Sequence, residues 1–250
     1  MLNQGPFFYG EWTLKYIKRI IYGVSIEMIE LSNVSKRYEN KYVTTEVLDN
    51  INIKINDNSI VAITGASGSG KTTLLNIMCG LDSPTEGRVI HDGVDIAKLS
   101  RGKLAKFRLD NCGFVFQDFC LVSTLNVKEN IKIAALGKEK RVDNKWYDEV
   151  IELLGLRDRE DYFPHQLSGG EKQRVAIARA IMTKPKVIFA DEPTGNLDSE
   201  NTVRIMNYLE KYARKKECIF IYVTHELDLC SIADTVISVS DKGICIKEGA

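Results

Sequence analysis

The sequence predicts an α/β fold: a mostly parallel sheet flanked by helices, with an antiparallel β layer and an inserted helical subdomain. Short apolar runs rich in β-branched residues, typical of buried parallel strands, recur at residues 59–63, 187–190 and 219–223. Helical patterns separate these runs. The stretch from Met28 to Ile63 instead alternates apolar and polar residues, which indicates antiparallel strands.

The first 27 residues differ from the rest because aromatic side chains crowd around basic ones there, with apolar residues at helical spacing. An amphipathic helix on a membrane or a partner is one interpretation. A disordered extension, or one that starts at an upstream codon, is the interpretation we favour. We therefore predict an extension at 1–27 and a folded domain over 28–250.

The composition is that of an ordinary globular protein, with 44% hydrophobic and 27% charged residues among 250. Lys+Arg and Asp+Glu balance at 34 each, so no overall field draws the chain to nucleic acid, and we expect no nucleic-acid partner. The cysteines are scattered without metal-binding spacing, which indicates reduced thiols. No apolar run reaches the roughly 18 residues of a membrane span.

A phosphate-binding loop lies between the strand at 59–63 and a helical run at 74–79. Residues Gly65–Thr72 fit the pattern G-x-x-x-x-G-K-[ST], in which glycines let backbone N–H groups approach phosphate oxygens. Lys71 would pair with the β- and γ-phosphates, and the Thr72 hydroxyl would bind Mg²⁺. A chance glycine-rich turn is the alternative. The pattern predicts a P-loop NTPase core.

The middle of the chain predicts a hairpin at 87–93, which would pair with the strands of 28–63 as an antiparallel layer. A short helix at 99–108 leads into a strand at 113–116 that ends at Gln117. Helical patterns then fill 127–156, and we place an inserted helical subdomain at about 121–167. The remaining elements are helices at 175–181 and 202–211, with closing strands at 236–239 and 244–246.

Two carboxylates follow the buried strand 187–190. The carboxyl edge of an open α/β sheet is where ligands bind, so Asp191 and Glu192 are expected at the site. Asp191 would hold Mg²⁺, and Glu192 would orient and deprotonate the attacking water. The alternative, acidic residues that merely begin a loop, is disfavoured by the phosphate loop upstream.

A second anion-ready surface starts at Ser168. This residue and the N–H groups of Gly169 and Gly170 lead straight into a helix, where backbone donors and the helix dipole favour an anion. From the residues alone, a plain helix cap explains this stretch as well as a phosphate-facing surface does.

With these motifs in place, the chain resembles the nucleotide-binding subunit of an ATP-binding cassette transporter from about Ile29 to Gly249. The motifs stand in the family's order: Tyr38, Gly65–Thr72, Gln117, Leu167–Glu171, Val187–Glu192, Gly195–Asp198 and His225. The resemblance implies that Tyr38 stacks on adenine and that Gln117 couples the metal and the attacking water to the helical lobe. It also implies that Asp198 lies in a loop crossing a dimer interface and that His225 contacts the γ-phosphate.

The residue patterns and the resemblance together assign the site. The expected catalytic residues are Glu192, His225, Gln117 and Lys71, and the expected metal ligands are Thr72, Gln117 and Asp191. The expected cofactors are ATP and Mg²⁺. The residues expected to contact nucleotide are Tyr38, Gly65, Ala66, Ser67, Gly68, Ser69, Gly70, Lys71, Thr72, Thr73, Ser168, Gly169, Gly170, Glu171 and Asp198.

The resemblance further implies partners. The Ser168 surface would serve the ATP of a second copy of the chain, so that two copies sandwich two nucleotides head to tail. An integral-membrane permease subunit would hold this dimer at the cytoplasmic face of the cell membrane. Association of the two copies would then depend on ATP, and hydrolysis would allow the dimer to open.

Four stretches are most similar to the branch containing lipoprotein-release, macrolide-export and bacitracin-resistance ATPases: 116–119, 125–130, 164–167 and 191–198. The expected function is therefore an Mg²⁺-dependent ATPase powering an exporter or extractor of a peptide antibiotic, a lipoprotein or a similar amphiphile. The alternative is a regulatory or sensing module that signals through a membrane partner without bulk transport.

Overall fold

The computed structural model describes residues 27–137, 143–195 and 197–248. The predicted extension at 1–27 lies outside these ranges except for its last position, and so does Asn196 of the motif at 195–198. The described residues form strands, numbered in chain order: β1 Glu27–Glu39, β2 Thr44–Asn56, β3 Ile60–Thr64, β4 Glu86–His91, β5 Val94–Asp95, β6 Cys112–Val115, β7 Val187–Asp191, β8 Ile219–Val223, β9 Thr235–Ser240 and β10 Gly243–Glu248.

The helices are likewise numbered along the described chain. They are α1 Lys71–Met78, α2 Arg101–Asn111, α3 Val127–Lys132, α4 Asn144–Leu153, α5 Gly169–Met182 and α6 Ser199–Lys216. Short 3₁₀ turns join them at Ile96–Lys98, Ile133–Ala135, Arg157–Arg159, Pro164–Gln166 and Leu227–Ile232.

The strands form two sheets. The first has the order β2-β1-β4-β5 and is antiparallel, so the predicted β layer and its β4–β5 hairpin are confirmed. The second has the order β10-β9-β3-β8-β7-β6, and every pair in it is parallel except β9–β10. Because β3, β8, β7 and β6 run in the same direction, their carboxyl ends meet at one edge of the sheet.

Strands β3, β7 and β8 of the second sheet are buried on both faces, which is why they read as continuous apolar runs. In β8, Phe220 and Tyr222 pack into the cluster that includes α5 and α6, while Ile221 and Val223 pack into the cluster shared with the antiparallel sheet and α1. Strand residues alternate between the two faces. The central sheet is therefore the middle layer, and it carries the site along one edge.

The helix predicted over 175–181 is longer in the structure. It begins at Gly169, where the stretch after Ser168 was expected to lead into a helix, because the Ser168 side chain caps it and brings both glycines into its first turn. Between β6 and β7 the described chain is helical, through α3, α4 and the short turns. The exact bounds of a helical subdomain at 121–167 remain a prediction.

No helix within the described ranges combines the length and the hydropathy needed to cross a membrane.

Candidate functional site

The loop between β3 and α1 has the backbone that its glycines predict. Gly65, Gly68 and Gly70 have φ of 145°, 76° and 102°, values that side chains disfavour. A Cβ on Gly65 would collide with the carbonyl oxygen of Val239, and one on Gly68 would meet no atom within 4 Å. The loop is thus tight at its start and open at its centre, where a ligand has access.

Lys71 lies across this loop. Its Nζ donates to the carbonyl oxygens of Gly65 at 3.0 Å and Ala66 at 2.8 Å, and the side chain is nearly buried. The ammonium group is therefore held within the loop, where it adds a positive charge to the backbone donors.

Thr72 connects the loop to β7. Its Oγ1 donates to the Asp191 carboxylate, at 3.2 Å from Oδ1 and 3.0 Å from Oδ2. Burial raises the pKa of Asp191, the Thr72 hydrogen bond opposes that rise, and the nearby Glu192 adds to it. A cation bound at these oxygens would favour the charged carboxylate. The hydroxyl and carboxylate are the hard oxygen donors that Mg²⁺ prefers.

Glu192 is the centre of a second group. Its carboxylate accepts from Gln117 Nε2 at 3.1 Å and lies 3.6 Å from His225 Nδ1, and both partners are partly or largely exposed. Its backbone has φ of 46°, an uncommon left-handed conformation. The structure therefore brings together three of the four predicted catalytic residues. Gln117, also predicted as a metal ligand, contacts the carboxylate expected to act as the base.

Tyr38 lies beside α1, where contacts with Asp82 and Thr73 hold it. Its hydroxyl donates to Asp82 Oδ2 at 2.7 Å, and Lys36 Nζ lies 2.7 Å from Asp82 Oδ1 and 4.7 Å from the centre of the Tyr38 ring. Burial raises the pKa of Tyr38, and the hydrogen bond to Asp82 raises it further, while one to Thr73 lowers it. The ring is 45% exposed, so one face is free to stack on a ligand.

The start of α5 is closed by a reciprocal capping box. Glu171 Oε2 accepts from the Ser168 backbone N–H and from Ser168 Oγ, both at 2.8 Å, and Glu171 N donates back to Ser168 Oγ at 3.3 Å. Arg159 Nε donates to Glu171 Oε1 at 2.8 Å. Within the described ranges, no hydrogen bond or ion pair joins this box to the loop at 65–72.

Asp198 caps α6 in a similar way. Its carboxylate accepts from Asn201 N at 2.8 Å and from Asn201 Nδ2 at 2.7 Å, bonds that lower the pKa of Asp198. Gly170 lies against Leu197, where an added Cβ would approach Cδ2 at 3.1 Å. The starts of α5 and α6 are therefore neighbours, and the residues predicted to face a second chain share one region.

Sequence reasoning missed several residues that hold the predicted ones in place. Lys36 and Asp82 fix Tyr38, and Arg159 fixes Glu171. Arg179 donates to the carbonyl oxygens of Phe119 at 2.7 Å and Cys120 at 2.6 Å, just after Gln117. These partners are distant in sequence, so local spacing carried no signal for them.

The geometry suits a triphosphate better than a smaller anion. One end offers a stacking ring, the loop offers backbone donors and an ammonium group, and the sheet edge offers Thr72 with two carboxylates. No group of three or more His, Cys, Asp or Glu side chains that could hold a metal occurs in the described part of the chain. A divalent cation here would share its coordination with ligand phosphates and water, which is the usual habit of Mg²⁺.

Comparison with known proteins identifies the family. The chain matches the family described as ABC transporter over residues 48–195. It is 44% identical over 216 residues to an uncharacterized ABC transporter ATP-binding protein of Methanocaldococcus jannaschii, covering 86% of this chain and 96% of that protein. It is 43% identical over 222 residues to the macrolide export ATP-binding/permease protein MacB of Chlorobaculum tepidum, covering 88% of this chain but 34% of MacB. The chain therefore spans about a third of that relative's length.

A solved structure agrees in fold. A dimeric ATP-binding cassette in a post-hydrolysis state, bound to ADP and Pi, superimposes with a TM-score of 0.84 at 35% identity, covering 88% of this chain and 98% of that one. The predicted α/β P-loop NTPase fold is thereby confirmed. The chain belongs to the ABC transporter family, in which it is an ATP-binding and ATP-hydrolysing subunit.

Proposed function

We propose that this ATPase powers a membrane transporter that exports or extracts a peptide antibiotic, a lipoprotein or a similar amphiphile. The observation that carries the ATPase part of the proposal is the Glu192 carboxylate, flanked by Gln117 and His225 at the sheet edge beside the phosphate loop. Similarity to MacB, which its name describes as a macrolide exporter, supports the export direction.

In hydrolysis, the residues that bind ATP and Mg²⁺ and those that act on the attacking water would have different tasks. Lys71 and the loop amides would bind the β- and γ-phosphates, and Tyr38 would stack on adenine. Thr72 and Asp191 would hold Mg²⁺, which neutralises phosphate charge when bound. Glu192 would take a proton from the attacking water, while Gln117 and His225 orient the carboxylate and the water.

Two copies would form the working unit. The N-terminus of α5, with Ser168 and Gly170, would contact the γ-phosphate held by Lys71 of the other copy. The dimeric cassette with ADP and Pi supports this arrangement. The γ-phosphate would bridge the copies, so its loss on hydrolysis would favour the open dimer. ATP would thus bind the closed dimer more tightly than ADP does, and this difference in affinity would drive opening and closing of the dimer.

A groove beside Gln117 is the surface we assign to the membrane subunit. It encloses about 280 Å³, and its lining includes Phe114 of β6, Phe116 just after that strand, Ala134, and Arg179 of α5. The groove is continuous with the strand that ends next to Gln117. A segment of the membrane subunit seated there would contact β6 and α5 together, and would link substrate movement to the water-orienting side of the site.

The ATPase mechanism is tested by Glu192→Gln, with Glu226→Gln as a matched control in the same region. We expect Glu192→Gln to lower hydrolysis by roughly 10²- to 10⁴-fold, the usual contribution of a positioned general base, with ATP binding retained. Glu226→Gln should hydrolyse normally. Near-normal turnover in Glu192→Gln, measured by phosphate release, would remove Glu192 from its role.

The transport role is tested by affinity purification of the Glu192→Gln chain with Mg·ATP from detergent-solubilised membranes. Recovery of a permease-like membrane protein supports the proposal, and Ala134→Glu should weaken that recovery without lowering ATP hydrolysis. The recovered complex is then reconstituted with the active chain, and movement of amphiphilic peptides is measured. Inward movement, or an ATP-dependent signal without movement, would overturn export in favour of import or sensing.

A further inference from the structure

The hydroxyl that the proposed function directs at a phosphate lies against a carboxylate. Ser168 Oγ donates to Glu171 Oε2 at 2.8 Å, and the Ser168 backbone N–H donates to the same oxygen at 2.8 Å. Glu171 is the third residue of α5, so its charge sits beside the backbone donors at the helix start. A phosphate approaching Ser168 would meet an acidic group at the place where it needs donors.

The Glu171 carboxylate is ionised at neutral pH. The hydrogen bond from the Ser168 N–H lowers its pKa against the opposing effect of burial, and Arg159 and the Ser168 hydroxyl lower it further, to about 2. Like charges brought together at an interface oppose association. A lone Glu171 would therefore work against the ATP-bridged dimer.

Arg159 supplies the compensating charge. Its Nε lies 2.8 Å from Glu171 Oε1, its Nη1 donates to the carbonyl oxygen of Asp158 at 3.3 Å, and its guanidinium lies 5.0 Å from the centre of the Tyr162 ring. Three contacts in different directions fix this planar group. Arg174 is close enough to Glu171 and Arg159 to sense both charges, but within the described residues it forms no ion pair with Glu171.

We propose that Arg159 is a positioning residue for ATP-dependent dimerisation: its ion pair with Glu171 cancels the carboxylate charge and holds the capping box, so that Ser168 and the α5 N-terminus face the other copy's γ-phosphate without net negative charge. The inference rests on the proposed head-to-tail dimer. It assigns a role to a residue from the turn after α4 that touches neither nucleotide nor the reacting atoms.

Neutralising first one partner of the ion pair and then both tests this role. Arg159→Met keeps a long apolar stem over Tyr162 but leaves Glu171 uncompensated, so ATP-dependent dimerisation should weaken by roughly tenfold or more. Adding Glu171→Gln removes the excess charge, and Gln still completes a capping box. The double variant should therefore recover most of the lost dimerisation. A defect caused by loss of structure would not be reversed by the second substitution.

The measurement is sedimentation of the full-length chain in the Glu192→Gln background with Mg·ATP, at low and high salt. Binding of a fluorescent ATP analogue to the monomer should stay unchanged in Arg159→Met and in Arg157→Met, since neither residue is expected to contact nucleotide. The Arg159→Met defect should shrink at high salt, because screening weakens charge repulsion. Arg157→Met is the matched control, since Arg157 lies in the same turn but pairs with Asp148 and Glu160, each at 2.9 Å.

The outcomes separate this inference from the proposed function. If the parent chain does not dimerise with ATP, the head-to-tail arrangement is wrong, and the role of Arg159 fails with it. If the parent dimerises and Arg159→Met does so equally well, Arg159 has no such role. If the double variant is as defective as Arg159→Met despite an unchanged melting temperature, charge compensation is wrong.

Discussion

The two phosphate-facing regions of this molecule are built differently. The loop at 65–72 lies between a buried strand and a helix, and Lys71, Thr72 and Asp191 link it internally. The start of α5 is an exposed cap whose described bonds run only to Arg159 and within the cap itself. In the proposed function, the first region binds a phosphate of its own copy, whereas the second offers donors to a phosphate held by the other copy. A substitution in the loop at 65–72 should therefore affect ATP binding by the monomer, and one at the start of α5 should affect association of the two copies.

The largest effect is expected from Gly65→Ala. The added Cβ would collide with the Val239 carbonyl oxygen at a backbone φ of 145°, so the loop must distort, at a cost on the order of 3 kcal/mol or more. ATP binding to the monomer should be lost. Gly68→Ala is the control, because its Cβ has open space and bears only the cost of left-handed backbone, about 1 kcal/mol. Equal ATP binding by both variants, in titration calorimetry, would contradict the tight loop described above.

The next largest effect is expected from the pH dependence of stability, which differs between His91, beside the end of α1, and Glu171 at the start of α5. His91 Nε2 lies 2.6 Å from the carbonyl oxygen of Met78, the last residue of α1, so this nitrogen must carry the proton and donate. Burial lowers the pKa of His91 from 6.5 to about 4. The folded state favours the neutral ring, so its stability contribution is present above pH 6.5 and is lost as the pH falls towards 4.

We expect the free energy of unfolding to fall by at most about 3 kcal/mol across this window. Glu171 should not contribute there, because its contribution is lost only as the pH falls from 4.5 towards 2. Urea unfolding of the wild type and of His91→Gln between pH 7 and pH 4.5 measures the difference. Parallel curves for the two proteins would show that His91 is not the source.

A smaller effect is expected from Ser168→Ala. Loss of the cap should cost about 1 kcal/mol of stability, and Asp198→Ala, which uncaps α6, should cost a similar amount. Ser168→Ala should impair hydrolysis while the affinity of the monomer for ATP stays unchanged, since its proposed ligand belongs to the other copy. Thermal melts, nucleotide titration and steady-state turnover measure these three quantities. Unchanged hydrolysis would argue against a shared site.

The smallest effect is expected from Tyr38→Phe. The ring is retained for stacking, but the hydrogen bond to Asp82 is lost, a change of roughly 0.5 to 1.5 kcal/mol. The KM for ATP should rise a few-fold with little change in kcat. Asp82→Ala removes the same hydrogen bond and also the ion pair with Lys36, so it should raise KM at least as much, and Tyr38→Phe should add nothing to it. Additive effects would mean that Asp82 does not act through Tyr38.

The sequence predicted those features whose physical cause lies in neighbouring residues of the chain. The central strands were predictable because parallel strands buried on both faces are apolar throughout, as in β8. The phosphate loop was predictable because its glycines are needed for its backbone angles. Arg159, Lys36 and Asp82 were not, since each acts through a partner that only the folded chain brings near. The start of α5 was predictable from the capping residue Ser168, whereas the apolar periodicity covered only 175–181.

The order of strands has a mechanical consequence. Gln117, Glu192 and His225 follow β6, β7 and β8, which are neighbours in the sheet, so the spacing of the three groups is set by the hydrogen-bond ladders, about 4.8 Å per strand. β7 and β8 are paired on both sides, whereas among the described strands β6 lies at the edge and is paired on one side alone. We therefore expect compliance to be unequal along the row: the strands that precede Glu192 and His225 are held on both sides, and a push on the edge strand should move Gln117 first.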